Sequence, residues 1–281
     1  MGKTNRKKDE YVLGHSATEL ERLEKQAGFY RELTRNMLVC AGIGKGMRVL
    51  DFGAGAGDVS LLISELVGKK GEVIAVDRAP EALERARYRM EARGVKNVTV
   101  VTGDEDTLEE VLGAGKVDAA VGRLVLLHQK DPVAVFEKII KQVRPGGIVA
   151  FQEIDGESTV WTKPMLPLMT QTYHWIEQTL KAGGMPSDMS QKLMQAFDKA
   201  GISTRHIVRE GVIESGPEAM CYEYYADIIR TVLPIMEKIK IATTEEIQLE
   251  TLAGRLRDEA VANQALFIPI FFVSAYGRLP G

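Results

Sequence analysis

Three glycines at alternate positions, Gly53, Gly55 and Gly57, separate two apolar segments. Glycine tolerates positive φ and lets a ligand approach the backbone, because it has no Cβ. A dinucleotide-binding turn also needs a last glycine in G-x-G-x-x-G, where the helix packs on the strand and its N-terminus faces a pyrophosphate. Asp58 occupies that position here. A carboxylate would repel a pyrophosphate, but it suits a ligand that carries an amino group and a sulfonium.

The elements that position this turn can be inferred from the hydrophobic pattern. An apolar run over residues 48–52 predicts a strand before the glycines, and leucines at helical spacing predict a helix after them. A second run over residues 72–76 ends in Asp77. A nucleotide-binding βαβ unit carries at this point the acidic residue that accepts hydrogen bonds from the ribose hydroxyls. Further strands are expected over residues 98–102, 117–121, 148–152 and 204–212.

Strands that alternate with helices predict a doubly wound parallel sheet. One of the helices is expected to begin at Asp131 and Pro132, which suit the N-cap and the first helical turn. The last apolar segment, residues 267–275, is expected to lie antiparallel between strands five and six. The predicted fold class is therefore α/β, a Rossmann-like doubly wound sheet of seven strands, six parallel and strand seven antiparallel.

The segments outside the first five strands are expected to cover the site. Capping-box sequences begin at Ser215 and at Thr243, so each predicts the start of a helix, the second running to about Ala262. Residues 1–10 are basic and poor in apolar side chains, which indicates a disordered tail, with nucleic-acid contact as the alternative. We expect a tail over 1–10, lid helices over 11–45, a cofactor-binding core over 46–155, and the rest of the sheet over 156–281 with substrate-cap insertions at about 156–188 and 215–262.

Several motifs, in the same order, resemble those of one protein family. The glycine turn resembles motif I of class I S-adenosylmethionine (SAM) methyltransferases. The branch that fits best comprises the small-molecule enzymes related to quinone-biosynthesis C-methyltransferases and to secondary-metabolite C- and S-methyltransferases. The resemblance is specific from Tyr11 to Glu153, and the usual terminal Trp-Arg-Lys-Pro is replaced by residues 276–280. The motifs are Tyr11-Val12-Leu13-Gly14, Glu19 with Arg22-Leu23, Leu50-Asp51-x-Gly53-x-Gly55-x-Gly57, Gly122-Arg123, and Arg144-Pro145-Gly146-Gly147.

The resemblance implies SAM as the cofactor and S-adenosylhomocysteine as its product. It places a carboxylate of Asp104 or Glu105 on the adenine amino group, although Asp104 could instead cap the following helix. Arg78 would lie beside the adenine, or form a surface salt bridge, and Tyr11 would contact the methionine end from the lid. The expected cofactor-binding residues are Tyr11, Asp51, Gly53, Gly55, Gly57, Asp77, Arg78, Asp104, Glu105 and Arg123.

Methyl transfer from a sulfonium needs few catalytic groups, because the donor is already activated and the protein chiefly aligns the two reactants. Oxygen, sulfur or carbon acceptors can still need a base. His128 is the best candidate, since it follows strand four; a helix-capping or solvent-facing histidine is the alternative. Glu153 ends strand five at the same edge, with either a catalytic role or a structural hydrogen bond. No metal site is expected.

The segment after strand five is rich in methionine and aromatic residues. Methionine adapts to irregular apolar space, so these residues either fill the core or line a pocket for an apolar acceptor. His15 could reach the same pocket from the lid, whereas His174 and His206 are expected to be structural or exposed. The expected acceptor-binding residues are His15, Trp161, Met165, Trp175, Tyr222 and Tyr225.

Composition limits the class of protein. The chain has 281 residues, 45% of them apolar, which is enough for a sizeable core. A net charge of −3 argues against a nucleic-acid partner. Cys40 and Cys221 lie far apart, which favours a reduced, cytoplasmic protein. No apolar run approaches the ~18 residues of a membrane span, and no signal peptide is recognisable. A monomer or homodimer is expected.

These observations favour a SAM-dependent methyltransferase that acts on an apolar or aromatic small molecule through a C, O, N or S atom. One alternative is an RNA or protein methyltransferase, which the acidic charge balance disfavours, as does Gly122-Arg123-Leu124-Val125 in place of Asn-Pro-Pro-Tyr. A second is a SAM-binding regulatory protein without catalysis. A third is aminopropyl transfer, for which no acidic polyamine-binding cluster is evident.

Overall fold

A computed structural model describes residues 30–113, 115–155, 161–268 and 271–281. Its main feature is a seven-stranded sheet that lies between two helical layers. A three-stranded sheet adjoins a third group of helices. The strands are β1 (Arg48–Phe52), β2 (Glu72–Asp77), β3 (Val98–Thr102), β4 (Val117–Arg123), β5 (Val143–Ile154), β6 (Trp161–Lys163), β7 (Arg205–Glu210), β8 (Glu214–Ser215), β9 (Leu266–Ile268) and β10 (Phe272–Arg278).

The helices connect these strands in the order that the sequence pattern predicts for the core. A single 3₁₀ turn, Leu126–His128, follows β4. The helices are α1 (residues 30–41), α2 (Asp58–Val67), α3 (Pro80–Ala92), α4 (Leu108–Leu112), α5 (Pro132–Ile140), α6 (Pro167–Ala182), α7 (Met189–Lys199), α8 (Cys221–Lys238), α9 (Thr244–Ile247) and α10 (Leu249–Ala262).

The large sheet has the strand order β3-β2-β1-β4-β5-β10-β7. The pairs from β3 through β5 are parallel, and β10 lies antiparallel between β5 and β7. The predicted α/β fold, with one antiparallel last strand between strands five and six, is confirmed. β2 and β3 lie on one side of β1, and β4 and β5 lie on the other. The strand order therefore reverses between β1 and β4, where open α/β sheets bind ligands.

The two faces of the sheet are both apolar, as a parallel sheet covered by helices requires. Successive residues of a strand point to opposite faces, and β1 shows the consequence. Val49 packs with Met37 of α1 and Leu62 of α2 in one cluster. Leu50 belongs to the other cluster, with Phe136 of α5 and residues of α7. All five named side chains are almost completely buried.

A third apolar cluster joins α6, α8 and α10 to the small sheet of β6, β9 and β8. Tyr30 of α1 also belongs to it, with its ring 4.3 Å from that of Phe272. The segment after β5 therefore contains regular structure where the sequence indicated only a loosened alternation. The 16-residue helix α6 occupies much of it.

Several predicted element boundaries are wrong. The capping box at Ser215 does not form, because α8 begins at Cys221, and Glu214 accepts hydrogen bonds from the backbone N–H groups of Met220 and Cys221. The predicted last strand is two strands, with Phe267 in β9 and the central strand running over Phe272–Arg278.

Other predicted features are confirmed. Asp131 caps α5 by accepting a hydrogen bond from the N–H of Ala134. Thr243 and Glu246 form the predicted capping box of α9, although the helix breaks at Gln248, where φ is +52°. The expected tail and most of the lid lie outside the described residues. Within the described ranges, no helix combines the length and apolar character that crossing a membrane requires.

Candidate active site

A cavity of about 240 Å³ lies at the carboxyl ends of β1, β2, β3 and β4. The glycine turn after β1 forms one wall, and α6 and α8 form the opposite one. The predicted site residues that line it are Gly53, Gly55, Asp77, Arg78, Asp104, Glu105, Arg123 and His128. The structure thus brings together side chains from four strand ends that are separated by up to 75 residues in the sequence.

The glycine turn is held by β2. The N–H groups of Gly53 and Ala54 donate to the carbonyl of Val76 at 2.8 and 3.0 Å. Both Gly53 (φ +74°) and Gly55 (φ +52°) have left-handed backbone. A Cβ at Gly53 would lie 2.3 Å from Cγ2 of Val125, whereas a Cβ at Gly55 would meet no atom within 4 Å. Gly53 is therefore required for packing, and Gly55 leaves open space at the cavity wall.

Asp77 lies at the end of β2 and fixes the same turn. Its Oδ2 accepts a hydrogen bond from the N–H of Gly55 at 2.8 Å, and its Oδ1 accepts one from the N–H of Ala79 at 2.9 Å. A carboxylate can accept about four hydrogen bonds in total. Asp77 therefore retains acceptor capacity toward the cavity that it lines.

Asp58, the first residue of α2, also lines the cavity. Arg89 of α3 donates to its Oδ1 at 2.6 Å and to the carbonyl of Ala56 at 2.8 Å. Both side chains of this ion pair are largely buried. The two hydrogen bonds of Arg89 hold the Asp58 carboxylate in a fixed orientation at the cavity wall.

Asp51 and Gly57 lie behind the cavity wall rather than in it. Asp51 accepts a hydrogen bond from the hydroxyl of Ser60, and burial raises the pKa of the carboxyl to about 7. Its Oδ1 has no hydrogen-bond partner among the described residues. A Cβ at Gly57 would lie 2.8 Å from Cε of Met90, so this glycine allows the turn to pack on α3.

Arg123 ends β4 and contributes a cation to the cavity lining near the glycine turn. Its Nη1 donates to Oγ1 of Thr34 in α1 at 3.2 Å. Burial lowers the pKa of the guanidinium, and the nearby carboxylates of Asp58 and Asp51 oppose that effect. The site therefore holds a positive charge beside two acidic groups at the base of the glycine turn.

Asp104 and Glu105 follow β3 at the far side of the cavity. Oδ1 of Asp104 accepts hydrogen bonds from the N–H groups of Asp106 and Thr107, both at 3.1 Å. These bonds close a turn before α4; they do not cap the helix, which begins at Leu108 and has Thr107 as its N-cap. Glu105 lies 3.7 Å from Nζ of Lys138. Arg78 lines the same end of the cavity.

The two residues predicted to act in catalysis, His128 and Glu153, differ in their position relative to the cavity. His128 ends the 3₁₀ turn and lines the cavity. Glu153 is completely buried outside the lining, and its carboxylate accepts hydrogen bonds from the N–H groups of Val125, Leu126 and Leu127 at 2.9–3.3 Å. The structure supports the structural interpretation of Glu153, because its oxygens hold the turn that carries His128.

The cavity wall that α6 and α8 form consists of residues that residue type alone did not identify. On α6 they recur at helical spacing, and on α8 they are four residues apart. Burial, together with the carboxylates of Glu177 and Asp155, raises the pKa of Tyr173 to about 12, so its hydroxyl stays protonated at neutral pH. The lining residues from these two helices are Tyr173, Ile176, Glu177, Leu180, Lys181, Tyr224 and Ile228.

Four of the residues expected to bind the acceptor lie elsewhere. Met165 is 77% exposed. Trp175 packs on the cluster of α6, α8 and α10. Tyr222 donates to the carbonyl of Gly216 at 3.0 Å, and the ring of Tyr225 is buried 5.3 Å from that of Phe267. None of these four is in the cavity lining. Tyr11 and His15 lie outside the described residues, as does the side chain of Trp161.

The family assignment follows from the part of the chain that forms this site. A model of methyltransferase domains matches residues 43–201, which is more than half of the chain. The chain belongs to the methyltransferase domain family. Together with the strand order, this places it in class I of the SAM-dependent methyltransferases.

Relatives of this methyltransferase domain differ in the acceptors that their names give. The protein-L-isoaspartate O-methyltransferase of Ignicoccus hospitalis is 34% identical over 113 residues, which cover 40% of this chain and 50% of that protein. The ubiquinone/menaquinone biosynthesis C-methyltransferase UbiE of Idiomarina loihiensis is 28% identical over 147 residues, covering 52% of this chain and 55% of that protein. The chain thus spans about half the length of the curated relatives it matches.

A solved structure supports the fold. The YcgJ protein of Bacillus subtilis aligns with a TM-score of 0.59 at 18% identity, covering 89% of this chain and 99% of that chain. At such low identity the likeness concerns the fold alone. The methyltransferase domain nevertheless has cavity-lining groups whose size and charge fit SAM. Gly55 leaves room for the ligand, Asp77 faces the cavity from β2, and Asp58 and Arg123 offer opposite charges.

Glu153→Gln is expected to weaken the dependence of stability on pH. Burial raises the pKa of Glu153 from 4.5 to about 8, although three backbone N–H donors oppose the shift. Between these values the folded protein keeps a proton that the unfolded chain has released. The free energy of unfolding should therefore fall as pH rises from about 5 to about 8, by roughly 1 kcal/mol per pH unit from this group.

The measurement is urea unfolding of both proteins across that pH range. Glu245→Gln on α9 serves as the control, because it removes an exposed carboxylate from a surface helix. Glu153→Gln should have the shallower slope, with a further decline remaining from Asp51, whose pKa is also raised. Equal slopes in the wild type and in Glu153→Gln would show that Glu153 is ionised throughout the range.

Proposed function

We propose that this protein transfers the methyl group of SAM to an apolar or aromatic small molecule. The observation that carries the proposal is the composition of the cavity. One wall presents the glycine turn with Asp58, Asp77 and Arg123, and the other presents apolar side chains of α6 and α8. A donor half and an acceptor half thus share one concave space, which is typical of small-molecule sites.

In the donor half, each polar group matches one part of SAM. Asp77 would accept the ribose hydroxyls, as the acidic residue after strand two does in nucleotide-binding βαβ units. Asp58 and Arg123 would bind the amino and carboxylate groups of the methionine end. The adenine would lie toward Asp104 and Glu105. Asp51 would support the turn from behind, through Ser60 of α2.

NAD fits this site poorly. In a dinucleotide fold the pyrophosphate lies at the N-terminus of the first helix, where backbone N–H groups and the helix dipole favour an anion. Here Asp58 is the first residue of α2, and Arg89 holds its carboxylate in place at 2.6 Å. A fixed carboxylate in that position opposes a pyrophosphate and attracts an ammonium group.

In the acceptor half, the protein acts mainly by alignment. SAM supplies a methyl group that its sulfonium has already made electrophilic. Ile176, Leu180 and Ile228 would hold an apolar acceptor against the donor half and exclude water. Such positioning can lower a barrier by about 7–11 kcal/mol in well-oriented cases. His128, on the cavity wall, is the residue that would accept a proton from an acceptor that must lose one.

The proposal predicts that label from methyl-labelled SAM enters a small molecule. The protein would be incubated with labelled SAM and with separated small-molecule, protein and nucleic-acid fractions of a cell extract, and products would be identified by mass spectrometry. The expected result is an enzyme-dependent labelled apolar or aromatic compound in the first fraction. Acidic side chains outnumber basic ones in the described lining of the cavity, which disfavours a polyanion.

Heat-denatured protein is the control for transfer without enzyme. Label confined to proteins would favour a protein acceptor, consistent with the name of the Ignicoccus hospitalis relative. Label confined to nucleic acid would contradict the small-molecule assignment. Tight binding of S-adenosylhomocysteine with no transfer to any fraction would favour a SAM-binding regulatory protein.

A further inference from the structure

A chain of buried polar side chains connects the cavity to α1 and then crosses the sheet. Arg123 donates to Oγ1 of Thr34 at 3.2 Å, and Thr34 donates to Oε1 of Gln152 at 2.7 Å. Nε2 of Gln152 donates to Oγ of Ser274 at 2.9 Å, and this hydroxyl lies 3.3 Å from Oε1 of Glu210. Thr34, Gln152 and Ser274 are each at most 1% exposed.

In this chain Gln152 directs its amide nitrogen toward Ser274, and its carbonyl oxygen faces α1 and accepts from Thr34. The Thr34 hydroxyl also lies 3.2 Å from the carbonyl of Tyr30 in its own helix. With its proton directed to these acceptors, Thr34 presents a lone pair to the guanidinium. Among the described residues, Arg123 has no other hydrogen-bond partner for its side chain. Within the described residues, the Thr34 hydroxyl is therefore the hydrogen-bonding group that orients the Arg123 guanidinium.

The position of Arg123 in the sheet indicates which part of SAM it faces. β1 lies between β2 and β4. Asp77 at the end of β2 marks the ribose side, so Arg123 at the end of β4 lies on the opposite side of the glycine turn. The carboxylates of Asp58 and Asp51 are close enough to affect its pKa. A cation beside the fixed carboxylate of Asp58 complements the carboxylate and ammonium groups of an amino acid.

We infer that Thr34 is a positioning residue for the donor: through its hydroxyl, α1 orients Arg123 toward the amino-acid end of SAM. This inference rests on the proposed function, because it needs SAM in the cavity. Thr34 does not line the cavity and would not touch the ligand. It would act by holding the guanidinium in one orientation, which reduces the conformational freedom that binding must otherwise remove.

The test compares two ligands that share the nucleoside but not the amino-acid end. S-adenosylhomocysteine carries the amino and carboxylate groups, and 5′-methylthioadenosine lacks both. Thr34→Val removes the hydroxyl with little change of shape, and Thr34→Ser retains it. By calorimetry, Thr34→Val should lose about tenfold in affinity for S-adenosylhomocysteine, as expected when one hydrogen bond to a charged group is no longer oriented. Its affinity for 5′-methylthioadenosine should change by less than about twofold, and Thr34→Ser should restore both.

Because both ligands are measured on the same samples, 5′-methylthioadenosine also reports whether the variant is folded. An equal loss for the two ligands, or no loss for either, would contradict the inference and leave Thr34 as a packing contact of α1. If the wild type binds 5′-methylthioadenosine but not S-adenosylhomocysteine, the amino-acid end is not recognised and the inference fails. If the wild type binds neither, the proposed function fails and the inference fails with it.

Discussion

Gly55→Val is expected to lower the affinity for S-adenosylhomocysteine on the order of 100-fold, because overfilling a packed site costs about 2–3 kcal/mol. The reason lies in the contrast between two glycines of the same turn. A Cβ at Gly53 would collide with Val125, whereas a Cβ at Gly55 would meet no protein atom within 4 Å. The new side chain would therefore occupy the cavity rather than disturb the core. Affinity would be measured by calorimetry.

The matched control is Gly94→Val. Gly94 has φ +64°, also meets nothing within 4 Å, and lies outside the cavity lining. Valine is disfavoured at positive φ at both sites, so the two variants share the backbone penalty. The two variants should have similar melting temperatures, and only Gly55→Val should lose binding of S-adenosylhomocysteine. If Gly94→Val loses binding equally, strain rather than occlusion is the cause, and if both bind normally, the ligand lies elsewhere.

The donor half could be read from the sequence because its residues occupy fixed places in a repeated pattern. Each lies at or just after the carboxyl end of a strand, and parallel strands bring those ends to one edge. Asp77 was predicted in this way, and the family resemblance added Asp104 and Arg123 at the ends of two further strands. The pattern does not tell which residues face the ligand. Asp51 and Gly57 belong to the same turn, yet both lie behind the cavity wall.

The acceptor half was predicted less well, because residue type does not give the direction of a side chain. Trp175 and Tyr225 are large aromatic residues, and both pack in the apolar cluster of α6, α8 and α10. Their neighbours on the same helices, Ile176 and Tyr224, line the cavity. Adjacent helical residues differ by about 100° in direction. Where a helix has apolar residues facing both the core and a cavity, the hydrophobic pattern cannot separate the two faces.

Two further features of the structure depend on contacts that the local sequence pattern does not show: the role of Glu153 and the start of α8. Glu153 holds the turn at Val125, 28 residues earlier in the chain. At the start of α8, Glu214 takes the place of the expected capping box. It lies outside the helix and accepts hydrogen bonds from two backbone N–H groups. Capping rules describe a side chain within three residues of the helix start. Glu214 lies in β8, six and seven residues before these N–H groups, so the contact does not have the spacing of a capping motif.

Asp77→Ala is expected to weaken binding of S-adenosylhomocysteine by roughly 2–4 kcal/mol, or about 30- to 1,000-fold, since two hydrogen bonds to a charged acceptor are lost and water replaces them only in part. Asp77 also holds Gly55 through its N–H at 2.8 Å, so the change could act by loosening the turn. Adenosine and 2′,3′-dideoxyadenosine separate the two causes, because the second ligand lacks both ribose hydroxyls.

If Asp77 binds the ribose, the wild type should prefer adenosine to the dideoxy ligand, and Asp77→Ala should lose that preference while keeping the weaker affinity. Asp106→Ala is the charge control, since it removes a neighbouring exposed carboxylate outside the cavity lining. It should leave both affinities nearly unchanged. A variant that binds both ligands more weakly by the same factor, with the preference intact, would mean that Asp77 acts only on the glycine turn. The ribose would then be held by another group, because a lost hydrogen bond affects only the ligand that makes it.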